Sequence, residues 1–73
     1  MRALKVRAFW DGEAGVWVAE SEDVPGLATE APTLEELLAK LAVVVPELLE
    51  ENGVRVEPPV ELHLEATRLL ALA

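Results

Sequence analysis

Ser21, His63 and an aspartate form the first group of residue types in this sequence that could carry out chemistry. The chain has one serine and one histidine, and Asp11 or Asp23 could supply the acid of a Ser/His/Asp triad. Such a triad requires a sharply turned, exposed nucleophile within hydrogen-bonding distance of the histidine. The residues around Ser21 form no nucleophile elbow, and the spacing does not bring the three groups together. We therefore predict no nucleophilic catalysis.

Carboxylates are the second such group, because Asp and Glu outnumber Lys and Arg by fourteen to six. Acid–base or two-metal catalysis needs several carboxylates converging in one cleft. Those of the N-terminal half instead follow hairpin ends and loops, where charge is usually solvated: Asp11, Glu13, Glu20, Glu22 and Asp23. One histidine without cysteines offers no zinc ligand set, and a glycine-rich phosphate loop is missing. We predict a protein that is not an enzyme and that has no metal or cofactor.

The net charge of −8 restricts the partners that this chain can bind. Phosphate neutralisation needs clustered cations, so we expect no direct binding of nucleic acid. A strongly acidic chain suits a small basic protein, although solubility alone would also account for the charge.

Length and composition predict a single cytoplasmic domain. The sequence has no cysteine, no signal peptide pattern and no apolar segment long enough for a membrane span. Its 73 residues form one domain, 1–73, with a small core and marginal stability. Self-association would bury more apolar surface, so we expect a homo-oligomer, either a dimer or a tetramer.

The elements that position these residues begin with a hairpin. Residues 3–10 alternate between two sets of side chains, and residues 16–21 form a second β-rich run after a polar loop with two glycines. A symmetric five-residue loop pairs Trp10 with Val16 and Phe9 with Trp17, although a bulge would change this pairing.

A turn, a short strand and a helix follow the hairpin. Residues 24–27 (Val-Pro-Gly-Leu) predict a type II turn, and residues 27–31 a third strand. Thr33 and Glu36 form a capping box for a helix from Leu34 to about Asn52, with Gly53 as its C-terminal cap. One helix face is apolar at helical spacing: Leu34, Leu37, Leu38, Leu41, Val45, Leu48 and Leu49.

Two features disturb this helix. Pro46 removes the hydrogen bond to the carbonyl of Ala42 and should kink the helix, or else divide it into two helices. Val43 and Val44 widen the apolar surface, which the sheet and the C-terminal residues could shield or which could meet another subunit.

The last element is a strand at residues 60–66, which begins after Pro58 and Pro59 because proline cannot donate to the ladder. The apolar residues Leu69 to Ala73 could extend this strand, pack on the helix, or cross to a neighbouring molecule.

The predicted fold is α+β, with the order β-β-β-α-β. A β-meander followed by a crossover helix makes the last strand parallel to the first, and the simplest arrangement is a four-stranded mixed sheet of order 3-2-1-4 with the helix on one face. The helix covers the face that carries Val6, Val18, Leu62 and Leu64. The other face carries two aromatic rings beside cations and is either an interface with another protein or a cation–π arrangement on a wet surface. The predicted interface residues are Lys5, Arg7, Phe9, Trp17 and His63.

Three motifs in order give this sequence a family resemblance. Trp17-Val18-Ala19, Asp23-Val24-Pro25-Gly26 and Thr33-Leu34-Glu35-Glu36 resemble the strand, turn and helix start of HicB-type antitoxin N-terminal domains. The later residues VVVPELLEENG resemble a short, largely uncharacterised bacterial branch of that group. The resemblance implies a partial ribonuclease H-like fold, and it implies a protein that neutralises a small basic toxin, HicA, which cleaves messenger RNA.

The resemblance leads to one main hypothesis and two alternatives. The main hypothesis is a small acidic oligomeric antitoxin; many HicB proteins also carry a C-terminal DNA-binding domain, for which this chain has no room. The first alternative is a stand-alone, self-associating interaction module. The second is a metal-dependent nuclease on the ribonuclease H-like sheet.

Overall fold

A hairpin opens the structure, and its loop sets the register of its two strands. The computed structural model describes residues 2–72, with strand β1 at Arg2–Asp11 and antiparallel strand β2 at Val16–Glu20. The Asp11 carboxylate accepts hydrogen bonds from the backbone N–H groups of Glu13 and Ala14, at 3.1 and 3.2 Å. The Asp11 carbonyl accepts from the N–H of Gly15 at 2.8 Å. These bonds bring Asp11 into the ladder opposite Val16, so the loop has four residues instead of five.

The predicted pairing of the hairpin was therefore wrong by one residue. Trp10 pairs with Trp17, and Phe9 pairs with Val18. Because side chains alternate along a strand, a shift of one residue turns every side chain of β2 to the other face. Trp17 and Ala19 lie in the core, at 9% and 1% exposure, and Val18 lies on the uncovered face instead of the helix face.

The proline–glycine turn after β2 has the predicted geometry. The N–H of Leu27 donates to the carbonyl of Val24 at 3.2 Å, and Gly26 has a φ of +80°, as the third residue of a type II turn requires. Val24 and Leu27 are buried, so the turn is anchored at both ends. The chain then enters β3, a short strand at Thr29–Ala31.

Helix α1 spans Leu34–Glu51, and both of its ends are capped by the predicted residues. The Thr33 hydroxyl accepts from the Glu36 N–H at 3.1 Å. At the C-terminus Gly53 has a φ of +67°, its N–H donates to the carbonyl of Glu50, and the Val54 N–H donates to Leu49. This pair of bonds is a Schellman motif, which satisfies carbonyls that the helix end would leave free.

Pro46 lies within this one uninterrupted helix, so the two-helix alternative was wrong. The flanking turns are held by the buried side chains of Leu41, Val45 and Leu49, which fix both halves of α1 on the sheet. The buried stripe is narrower than predicted. Leu34 and Leu48 pack at its margins, while Leu38 is 45% exposed.

The four-stranded mixed sheet has the predicted order, β3-β2-β1-β4. Strand β4, at Val60–Thr67, is parallel to β1, with Leu62 beside Leu4 and Leu64 beside Val6. Helix α1 lies closest to β2 and β3. The other half of the covered face receives the half-buried Val54 and Val56 from the connection that follows the helix.

Residues 69–72, near the end of the chain, do not rejoin the fold. Leu69, Leu70 and Leu72 are 93%, 75% and 84% exposed and belong to no strand. Two of the three predicted outcomes, extension of the strand and packing on the helix, are therefore wrong for residues 69–72, and Ala73 lies outside the described residues. No helix within residues 2–72 combines the length and apolarity that a bilayer crossing requires.

Candidate functional site

The side of the sheet opposite α1 is uncovered, and it is the candidate functional surface. Core burial of Leu4, Val6 and Ala8 turns the alternate residues of β1 outwards. We call this surface the open face; it comprises Lys5, Arg7, Phe9, Val18, Glu20, Glu61, His63 and Glu65. Strand β1 runs through its centre, so its side chains have neighbours on both sides.

Phe9 forms the apolar centre of the open face. It pairs with Val18 of β2 on one side and with Thr67 of β4 on the other. Its side chain remains 41% exposed, because the neighbouring residues are too small to cover an aromatic ring. An aromatic side chain held on a central strand and still accessible is suited to anchor a protein contact.

Arg7 lies among carboxylates. Its Nη2 is 3.4 Å from Glu20 Oε1 and 3.9 Å from Glu22 Oε1, and Glu65 is its neighbour on β4. About half of each side chain of the closer pair is exposed, so water screens the attraction, and such a pair contributes about 1 kcal/mol or less. Glu20 and Glu22 can therefore leave Arg7 and pair with another cation at low energetic cost.

His63 lies beside Lys5 in the parallel pair, and its Nε2 is 2.8 Å from Glu61 Oε2. The open face thus carries two full cations, one histidine and three carboxylates around a single aromatic ring. Its charge is mixed, with a small acidic excess.

Four of the five predicted interface residues lie on the open face, and Trp17 does not. Lys5, Arg7, Phe9 and His63 are together there, whereas Trp17 is buried on the helix side against Trp10. The misplacement follows from the hairpin register. An aspartate at the first loop position with a glycine four residues later was the sequence signal for the shorter loop.

Ser21 and Asp23 serve the backbone of β1. Strand β2 ends at Glu20, so Lys5 has no strand partner on that side. The Lys5 N–H donates to Asp23 Oδ2 at 2.8 Å, the Ser21 hydroxyl donates to the Lys5 carbonyl, and the Asp23 N–H donates to Ser21 Oγ at 3.1 Å. These bonds explain the positions of the Ser21 and Asp23 side chains. The Ser21 hydroxyl donates its proton to a carbonyl and not to His63. Within residues 2–72, no three of the His, Cys, Asp and Glu side chains form a group that could hold a metal ion.

Comparison with known proteins places this fold in a family. A family model described as "Domain of unknown function (DUF1902)" matches residues 3–72. The chain belongs to the DUF1902 family. This DUF1902 chain is similar to a hypothetical protein from the extremely thermophilic bacterium Thermus thermophilus, whose crystal structure is solved. The two are 82% identical, the match covers 97% of this chain and 100% of that one, and the TM-score is 0.87. A search of curated proteins gave no match.

The DUF1902 domain has a second surface feature, which the sequence did not reveal. An apolar groove of about 890 Å³ lies between α1, β4 and the connection that joins them. Its lining includes Leu41, Val45, Leu49, Val54, Val56 and Leu62. The groove exists because α1 lies over β2 and β3, so it depends on the placement of elements distant in sequence.

Proposed function

We propose that this DUF1902 domain is a HicB-like antitoxin, a non-enzymatic cytoplasmic protein that binds and neutralises a small basic toxin. The toxin would cleave messenger RNA, as in the HicB resemblance, and the open face would be its binding surface. Support comes from the order of the strand, turn and capped-helix motifs and from the net charge of −8.

The observation that carries the proposal is the exposed ring of Phe9 on the same face as the half-exposed carboxylates of Glu20 and Glu61. Lys or Arg side chains of a basic partner could pair with Glu20 and Glu65 while an apolar residue covers Phe9. Interfaces commonly combine one aromatic anchor with a polar rim in this way. Opposite overall charges would also accelerate the encounter of the two proteins.

The motif residues themselves have structural roles, which separates them from the binding surface. Asp23 supports the backbone of Lys5, Gly26 adopts the left-handed turn position, and Thr33 caps α1. Substitution of these residues should reduce stability, whereas substitution of the open face should reduce binding alone.

Co-purification from the native host tests the proposal. We expect the tagged chain to recover a small basic protein encoded beside it, with an affinity that falls as salt concentration rises. Phe9→Ala should weaken that binding by at least about tenfold, since an anchor residue contributes more than 1 kcal/mol. Leu38→Ala is the matched control, because Leu38 is equally exposed but lies on α1. Recovery of copies of the chain alone would count against the antitoxin.

A self-associating interaction module is the second candidate. The exposed leucines at 69, 70 and 72 favour it, because they offer an apolar surface that the monomer does not use.

A further inference from the structure

Three leucines at the C-terminal end of the described chain expose almost all of their apolar surface. Leu69, Leu70 and Leu72 are 93%, 75% and 84% exposed. The guanidinium of Arg68 lies over the ring of Trp10, 4.2 Å from its centroid, and fixes the point where this segment leaves the fold. We call residues 69–72 the leucine segment. A contiguous apolar segment of this kind on a small acidic domain indicates a binding surface.

The apolar groove is the complementary feature. Leu4 and Leu62 form its floor on the sheet, and Val45, Leu49 and Val56 form its walls. Val60, at the N-terminal end of β4, also lines the groove and is 36% exposed. Its chemistry and size suit several aliphatic side chains.

The leucine segment does not fill the groove of its own chain, because Leu69, Leu70 and Leu72 are each 75% exposed or more. Val60 and Thr67, at the two ends of β4, are about 23 Å apart at ~3.3 Å per residue. The leucine segment leaves from Thr67, and the five residues 68–72 span at most about 18 Å. The Val60 end of the groove therefore lies beyond the reach of the leucine segment of the same chain, and a second molecule can supply the side chains that fill it.

Strand β4 provides the means of pairing two molecules. It is hydrogen-bonded to β1 on one side only, and its other edge is free along the described strand. Antiparallel pairing of two β4 strands brings the C-terminal end of each beside the N-terminal end of the other. The N-terminal end of β4 is where Val60 and Leu62 border the groove.

We propose that two copies of this chain pair antiparallel along β4 and that the leucine segment of each occupies the apolar groove of the other. A two-fold axis at Leu64 sets the register. It places Glu65 opposite the partner's His63, a favourable pair, and it brings Arg68, from which the leucine segment continues, beside the partner's Val60 in the groove lining. One closed two-fold interface then covers both leucine segments and both grooves. Arg7 and Phe9, at the centre of the open face on β1, stay free, so the dimer does not depend on the proposed toxin.

Sedimentation of matched variants tests the dimer. We expect the wild-type chain to sediment as a dimer at micromolar concentration. Replacing Leu69, Leu70 and Leu72 by serine should raise the dissociation constant on the order of 100-fold or more while leaving the circular dichroism of the folded chain unchanged. A control with Leu38→Ser and Val43→Ser, which removes exposed apolar side chains from α1, should remain a dimer.

Disulfide trapping tests the register, because the natural chain has no cysteine to give background. A tagged Glu65→Cys chain mixed with an untagged His63→Cys chain should form a mixed disulfide on mild oxidation, since opposite residues of an antiparallel pair lie within bridging distance.

A wild-type monomer, or a dimer that survives the triple serine substitution, would overturn the proposal. A wild-type monomer that binds the apolar dye anilinonaphthalene sulfonate would assign the groove to a small ligand instead. Failure of the mixed disulfide in a dimer would overturn the β4 pairing.

Discussion

Trp10 and Trp17 meet edge to face across the β1–β2 pair, with ring centroids 5.5 Å apart and ring planes at 65°. The contact requires the two residues to be directly opposite each other, which the Asp11 turn imposes. A hairpin with a five-residue loop would send Trp17 to the open face and leave Trp10 without an aromatic neighbour. One side-chain hydrogen-bonding pattern in the loop therefore decides which face of the sheet receives the largest side chain of β2.

The first prediction concerns Trp17. Trp17→Ala should lower the free energy of unfolding by about 3–5 kcal/mol, because a buried tryptophan leaves a large cavity. In a domain of this size that loss approaches the entire stability, so thermal denaturation should shift strongly downwards. Val18→Ala, the next residue on the same strand but on the open face, should cost less than half as much. A larger loss for Val18→Ala than for Trp17→Ala would mean that β2 has the opposite orientation.

The second prediction concerns Asp11. Asp11→Ala removes the acceptor of two loop N–H groups and should destabilise the domain by roughly 1–2 kcal/mol in urea denaturation. It should also weaken the nuclear Overhauser contacts between the Trp10 and Trp17 rings, since the loop would no longer favour this register. Asp11→Asn keeps an acceptor oxygen and should preserve those contacts. Unchanged ring contacts in the alanine variant would show that packing alone fixes the register.

The sequence predicted elements well where local chemistry specifies them. Thr33 and Gly53 define the helix ends through their own hydrogen bonds and backbone angles, and Gly26 defines the turn, so those predictions needed no knowledge of the rest of the chain. The order of the strands was predicted as the simplest arrangement of a β-meander followed by one crossover helix.

Features that depend on relative placement were harder to predict. Both registers of β2 present alternating side chains, so only the Asp11 turn distinguishes them, and Trp17 was assigned to the wrong face as a result. Lys5, Arg7, Phe9 and His63 were placed together because β1 and β4 have unambiguous alternation. The apolar groove arises from the position of α1 over the sheet, which local sequence patterns do not encode.

The third prediction concerns Gly26, whose φ of +80° is a conformation that side chains with a Cβ rarely adopt. Gly26→Ala should cost about 1–3 kcal/mol of stability. The cost is conformational instead of steric, since an added Cβ would meet its nearest neighbour, Leu48, at an ordinary 3.7 Å. Gly12→Ala is the control, because Gly12 lies in the hairpin loop without a positive φ. Melting temperatures of the two variants measure the difference, and an unshifted Gly26→Ala would refute the strained turn.

The fourth prediction concerns Pro46, which lies inside α1 although proline cannot donate the helical hydrogen bond to Ala42. Pro46 is exposed, so its replacement by alanine removes little packing while restoring a backbone donor. Proline is about 3 kcal/mol less favourable than alanine in a helix interior, and the stiffer unfolded chain of the proline form offsets up to about 1 kcal/mol of that difference. Pro46→Ala should therefore stabilise the monomer by roughly 2–3 kcal/mol. The melting temperature of Pro46→Ala measures this gain. The comparison variant is Ala42→Gly, which weakens the same turn of α1 without restoring a donor. A lower melting temperature for Pro46→Ala would show that this proline stabilises the wall of the apolar groove, where it also lies.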